Sequence, residues 1–70
     1  MTTVRAEITA TVWQLRVAVG EEVAAGQELL VLESMKMEIP VVAPITGTVV
    51  ALRVAPDDRV QEGDVLAELA

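Results

Sequence analysis

One side chain in this sequence stands out as able to take part in covalent chemistry. Lys36 is the only lysine among 70 residues, and it lies in the run Glu33-Ser34-Met35-Lys36-Met37-Glu38. The other four basic residues are arginines, which stay protonated and are poor nucleophiles. Apart from the N-terminus, Lys36 is therefore the only amine that a modifying enzyme could acylate.

No other group of residues has the composition of a catalytic or metal site. The sequence contains no His and no Cys, so it offers no disulfide, no transition-metal ligand set and no nucleophile–base pair. The acidic pairs Glu21-Glu22 and Asp57-Asp58 fall in turn-like segments, and we interpret them as solvated charge. We therefore expect no catalytic residue, no metal site and no enzymatic activity of the chain itself.

Charge and composition narrow the class of partner. The net charge of −6 argues against binding to nucleic acid or to an anionic membrane surface. No apolar stretch approaches the roughly 18 residues of a membrane span, and the first residues contain no signal-like apolar region, so we predict a cytoplasmic protein. We also predict a single monomeric domain over residues 1–70, whose core is built largely of Val and Ala.

The chain contains an internal repeat. Residues 11–32 align with residues 48–69 at an offset of 37 positions, with ten identities in 22 aligned pairs. Two copies are too few for a solenoid, which needs at least about three repeats to bury a continuous core. We therefore predict two β units that are related by a pseudo-twofold axis and cover each other's apolar faces.

Within each copy the hydrophobic period is that of a β-strand. Trp13, Leu15 and Val17 alternate with polar or small residues, and the second copy repeats the pattern with Val50, Leu52 and Val54. On this pattern Trp13 belongs to the partly buried core, while Arg16 and Arg53 point to water. Short strands with turn signals between them predict a β-sandwich or flattened barrel.

The repeat gives Lys36 a position in the fold. Strand-like segments precede it at residues 29–32 and follow it at residues 39–42, so we expect the lysine at a hairpin tip between the two copies. Methionine is a favoured contact residue at adaptable binding surfaces, which fits two methionines beside an amine that partners must reach.

The motif and its surroundings resemble the biotinyl domains, the family of biotin carboxyl carrier domains and their lipoyl relatives. The family's attachment motif is Glu-Ala-Met-Lys-Met, and this chain reads Glu33-Ser34-Met35-Lys36-Met37. The similarity continues through the segments at 17–20, 23–26, 43–44, 47–49 and 63–66, so it covers nearly the whole chain. It implies a flattened antiparallel β-barrel of two four-stranded sheets, with the lysine on an exposed hairpin.

The resemblance also implies a function. A biotin protein ligase would attach biotin to Lys36, and the biotin would carry carboxylate from a biotin carboxylase to a carboxyltransferase. Glu33, Ser34, Met35 and Met37 would be recognised by the ligase. Ser34 replaces the family's usual Ala, and Ile8-Thr9-Ala10-Thr11 stands where a Pro-Gly turn is common. We expect a carrier without the short insertion found in some acetyl-CoA carboxylases, either free-standing or cut from a longer chain.

Three alternatives remain open on the sequence. A lipoyl domain shares the fold, but its motif typically places Asp before the lysine and Ala after it, where this chain has Met35 and Met37. An acyl carrier modified on Ser34 would be a helical bundle, which the period-two Val-rich segments and three prolines disfavour. The third alternative is a small β interaction module that is not modified. We also considered a barrel segment of a membrane-fusion transporter subunit, which is disfavoured because the sequence has no helical hairpin and no membrane anchor.

Overall fold

Eight antiparallel strands account for most of the chain in the computed structural model, which describes all of residues 1–70. The strands are β1 (Thr2–Arg5), β2 (Ala10–Leu15), β3 (Glu22–Val23), β4 (Glu28–Ser34), β5 (Met37–Val42), β6 (Gly47–Leu52), β7 (Arg59–Val60) and β8 (Val65–Leu69). They form two four-stranded sheets, of order β1-β8-β6-β3 and β5-β4-β2-β7. The predicted all-β fold is confirmed.

The two sheets follow the repeat in the sequence. An offset of 37 residues carries β2 onto β6 and β3 onto β7, and it brings β4 onto β8 and β1 onto β5. The strand order of one sheet therefore becomes the strand order of the other. This is the arrangement expected of two equivalent units related by a pseudo-twofold axis.

Bulges occur at equivalent places in the two units and decide which residues face inward. The pairing of β2 with β4 skips Trp13, and the pairing of β6 with β8 skips its counterpart Val50. A bulge places one extra residue on its strand and shifts the alternation of faces. Val12 is consequently fully buried, whereas Trp13 is 40% exposed and lies outside the core cluster. The prediction that Trp13 belongs to the core is wrong for this reason.

A second pair of bulges places additional leucine side chains in the core. The ladders skip Leu29 in β4 and its counterpart Leu66 in β8, so that Leu29 and Leu30 are both fully buried although they are consecutive. Arg16 and Arg53 are exposed, as predicted. The core is wholly aliphatic, with no buried polar or charged residue; its members are Val4, Ala6, Ala10, Val12, Val17, Val23, Leu29, Leu30, Leu32, Ala43, Val49, Val60, Leu66, Ala67 and Leu69.

The turns predicted around Glu21-Glu22 and Asp57-Asp58 are present, and side-chain acceptors help to close these turns and two others. The carboxylate of Glu21 accepts a hydrogen bond from the Ala18 amide at 3.3 Å, and that of Asp58 accepts one from the Ala55 amide at 2.9 Å. Gln27 and Asp64 accept equivalent bonds in the other two turns. Side-chain acceptors of this kind are a common way to stabilise a turn. The acids at these turns therefore have a structural role in addition to being solvated.

No helix with the length and apolar character needed to cross a membrane occurs in the structure.

We predict that Gly63→Ala lowers the free energy of unfolding by about 1–2 kcal/mol, because Gly63 has φ +93°, which L-residues rarely adopt. Apart from Gly63 itself and its two chain neighbours, no residue has an atom within 4 Å of the added Cβ, so the cost comes from the backbone conformation. Thermal denaturation should show a melting temperature lower by about 5–10 °C. Gly26→Ala is the matched variant (φ +88°) and should lose a similar amount. Unchanged melting temperatures for both would contradict this account.

Candidate functional site

Lys36 lies in the tightest connection of the fold. β4 ends at Ser34 and β5 begins at Met37, and these two residues pair directly across the strands. Only Met35 and Lys36 lie between them, with φ angles of +52° and +66°. A two-residue hairpin loop with positive φ at both positions is a type I′ turn. The predicted hairpin tip is therefore present, and it has the shortest usual loop length.

The residue types at this turn do not suit its backbone. Type I′ turns favour Asn-Gly and similar pairs, because positive φ strains most residues that have a Cβ, while Gly is free of this strain and Asn tolerates it better than other residues. Here a methionine and a lysine occupy both positions, while Gly20, Gly26 and Gly63 occupy positive-φ positions elsewhere. The ladder between β4 and β5 holds the strained turn in place with six residue pairs. Strain that persists in this way is often found where function depends on the conformation.

The tip of the hairpin is open to solvent and the lysine has no partner there. Lys36 is exposed, and the flanking Met35 and Met37 are 92% and 66% exposed. The two salt bridges of the structure are Arg16–Glu28 and Arg53–Glu68, and no side-chain hydrogen bond involves Lys36. The amine can therefore be approached from outside without breaking an interaction of the folded protein.

The remaining motif residues sit directly below the tip. Ser34 is half-buried at the base of the turn, while Glu33 is exposed and lies directly opposite Glu38 on β5. Like charges directly opposite on paired strands are destabilising. Sequence reasoning did not assign Glu38 to the recognition set, although the two-residue loop makes it the cross-strand partner of Glu33.

Two grooves lie away from the hairpin tip. One, of about 480 Å³, runs between β1 and β5; its lining includes Ile8, Ile39, Pro40 and Val41 but not Lys36. The other, of about 400 Å³, is polar and includes Arg53 and Arg59. No group of acidic residues has a geometry that could hold a metal ion. The reactive group of the candidate site is thus a surface amine and not the floor of a pocket.

Comparison with known proteins points to one family. Residues 2–69 match the sequence profile of the family described as "Biotin-requiring enzyme". The "Biotin/lipoyl attachment protein" of Bacillus subtilis is 44% identical over 68 residues, which are 97% of this chain and 93% of the relative. The "Biotinylated protein TB7.3 homolog" of Mycobacterium leprae is 45% identical over 67 residues, covering 96% and 94%.

A solved structure agrees with these sequence matches. The urea carboxylase of Kluyveromyces lactis contains a segment that superposes with a TM-score of 0.93 at 32% identity. The match covers 99% of this chain but only 6% of that enzyme. The fold assigned above, two four-stranded antiparallel sheets, is therefore found within a much larger carboxylase.

We expect Met35→Gly to raise the free energy of unfolding by about 0.5–1 kcal/mol, because glycine relieves the positive-φ strain of the turn. The melting temperature should rise by a few degrees. Met37→Gly is the control: Met37 is a strand residue without positive φ, and glycine there should destabilise. If both variants shifted the melting temperature in the same direction, the turn would not be strained.

Proposed function

Because this chain belongs to the biotin/lipoyl attachment family, we propose that it carries biotin, joined by an amide bond to Lys36. The chain is a non-catalytic attachment domain of that family. The observation that carries the proposal is the hairpin tip: the only lysine of the sequence occupies a strained, exposed turn and is bound to no other residue.

The residues present fit attachment of an acyl group. A lysine side chain carries three protons at neutral pH, so acylation requires a base. No histidine exists in the chain, and neither Glu33 nor Glu38 is hydrogen-bonded or paired with Lys36. The base and the activated acyl donor therefore belong to the biotin protein ligase. In this reaction Nζ would lose two of its three protons to the ligase and attack the carboxyl carbon of a biotinyl phosphate anhydride, and the phosphate group would leave as the C–O bond breaks.

Four neighbours of the lysine are proposed as the residues that the ligase recognises. Met35 and Met37 present thioethers on either side of Lys36, and both are largely exposed. Ser34 is small enough for the base of the turn, and Glu33 is exposed on the approach strand. All four belong to one hairpin, Met35 in its loop and the other three at the ends of its strands, so a single enzyme surface can contact them together.

Biotin, when attached, supplies a ring nitrogen that accepts carboxylate from bicarbonate at a biotin carboxylase and releases it at a carboxyltransferase. The role of this chain is to hold the biotinylated lysine side chain away from the rest of its own surface. The modified Lys36 extends from a turn that no other element of the fold covers, and tethering raises the effective concentration of the group at each active site. The presence of the same fold within a urea carboxylase supports partners of the carboxylase class.

Biotin is favoured over lipoate by the residues beside the lysine. The lipoyl motif has Asp and Ala in the places that Met35 and Met37 occupy here. The Mycobacterium leprae relative, which covers nearly the whole chain, is named as biotinylated.

We expect Lys36→Arg to abolish biotin attachment, since a guanidinium stays protonated and cannot attack the acyl donor. Intact mass spectrometry and an avidin blot of protein made in biotin-replete cells should show one biotinyl group on the wild-type chain and none on the variant. The double variant Lys36→Arg/Arg59→Lys restores one lysine away from the hairpin, on β7, and should also remain unmodified. Modification of either variant would refute Lys36 as the site.

In cells supplied with both cofactors, the wild-type chain should gain a biotinyl and not a lipoyl increment in mass. Met35→Asp should lower the biotinylated fraction severalfold, because it removes a thioether and places a charge beside the amine. Because Met35 is 92% exposed, we expect the variant to fold, and its melting temperature will show whether it does. A lipoyl increment on the wild-type chain would show that the lipoyl alternative is correct.

A further inference from the structure

One apolar side chain of the β5-β4-β2-β7 sheet is buried although it lies on the face that points away from the core. Val31 is only 4% exposed, yet it does not belong to the core cluster that contains its neighbours Leu30 and Leu32. Alternation along β4 places it on the outer face of the sheet. It pairs with Gln14 on one side and Pro40 on the other, so residues of the flanking strands cover it from outside.

The bulge in β2 adds Trp13 to this outer face. In a bulge two residues of one strand oppose a single residue of the other, and here Trp13 and Gln14 oppose Val31. Trp13 is the only aromatic residue of the chain and is 40% exposed. Trp13 and Pro40, two exposed residues on the strands that flank the buried Val31, form what we name the outer patch. It lies on a rigid sheet, where an exposed tryptophan has a low entropy cost on binding.

Two carboxylates separate the outer patch from the lysine. Glu33 and Glu38 face each other across the strands, two residues beyond Val31 toward the hairpin, or about 7 Å at the usual rise of a strand. Both are exposed, and neither takes part in a salt bridge. The outer face thus presents an apolar patch, then an unneutralised pair of negative charges, and then the reactive amine.

We propose that this outer face is the docking surface for the ligase that acylates Lys36, an inference that rests on the proposed function. The ligase contacts the outer patch with apolar side chains and places Lys or Arg against Glu33 and Glu38. Tryptophan is enriched among the residues that dominate binding at protein interfaces. A cationic partner also removes the repulsion between two opposed carboxylates, which no group within this chain relieves.

We assign the outer patch to the ligase because the patch adjoins the hairpin that carries Lys36. An enzyme that holds Nζ of Lys36 in its active site covers the base of the same hairpin, where Glu33 and Glu38 lie. The outer patch is the next surface along strands β4 and β5. The equivalent place on the other sheet has Val50 instead of Trp13 and carries no lysine hairpin, so the two outer faces of a pseudo-symmetric fold differ in the features that recognition requires.

The repeat supplies a matched test. The exchange variant Trp13→Val/Val50→Trp keeps the composition and moves the tryptophan to the equivalent bulge on the opposite sheet. With a purified biotin protein ligase, biotin and ATP, we expect kcat/KM for biotinylation of the full chain to fall about tenfold, through KM. Circular dichroism and melting temperature report whether the exchange variant folds.

Charge variants test the same surface without disturbing packing. Glu38→Gln should lower kcat/KM about threefold and weaken its dependence on salt, because one carboxylate of the docking surface is lost. Glu22→Gln makes the same change at an exposed residue of β3 in the other sheet and should leave the rate within twofold of wild type.

The outcomes separate the two proposals. Suppose that the wild-type chain is biotinylated at Lys36, and that the folded exchange variant and Glu38→Gln are both biotinylated at the wild-type rate. This result overturns the docking surface and leaves the proposed function intact. If the exchange variant does not fold, Glu38→Gln against Glu22→Gln decides alone, and equal rates for these two overturn the proposal. A wild-type chain that is not modified at Lys36 overturns the proposed function and the docking surface with it.

Discussion

Main-chain hydrogen bonds that pass from each half of the chain to the other hold this structure together. The amide of Gly20 donates to the carbonyl of Val49, and its counterpart Asp57 donates to that of Val12. Gly26 bonds Ala43 and Gly63 bonds Ala6 in the same reciprocal manner. Each half therefore completes the backbone bonding of the other, and buried backbone groups left without such partners would be costly. Each repeat thus depends on the other for its backbone hydrogen bonds, and we expect the two to unfold together.

This mutual closure explains how a strained hairpin is sustained. β4 is an inner strand of its sheet, paired with both β2 and β5, and four consecutive residues of it, from Leu29 to Leu32, are buried. The turn at Met35-Lys36 extends from that strand. Its positive φ angles therefore result from the pairing of β4 with β5 and not from the conformational preferences of Met and Lys. The sequence can then place Met and Lys at the tip instead of the Asn and Gly that the turn alone would favour.

Much of this was predictable from the sequence. The repeat predicted the paired sheets, the period of two predicted the strands, and the position of Lys36 between the copies predicted an exposed hairpin. The error at Trp13 shows the limit of such reasoning, because a bulge moves one residue out of phase without leaving a sign in the hydrophobic pattern. The opposition of Glu33 and Glu38 was missed for a related reason: it follows from the length of the loop, which only the pairing of Ser34 with Met37 defines.

The separation between core and hairpin also bears on how a carrier can serve several enzymes in turn. The core is entirely aliphatic, and Lys36 makes no salt bridge or hydrogen bond with the rest of the chain. Acylation of the amine removes a positive charge, but no interaction of the folded state depends on that charge. The scaffold is therefore expected to have the same structure before and after modification. If Lys36 is modified as proposed, a ligase and the enzymes that use the attached group would meet the same scaffold and would distinguish its states by the group bound at the tip.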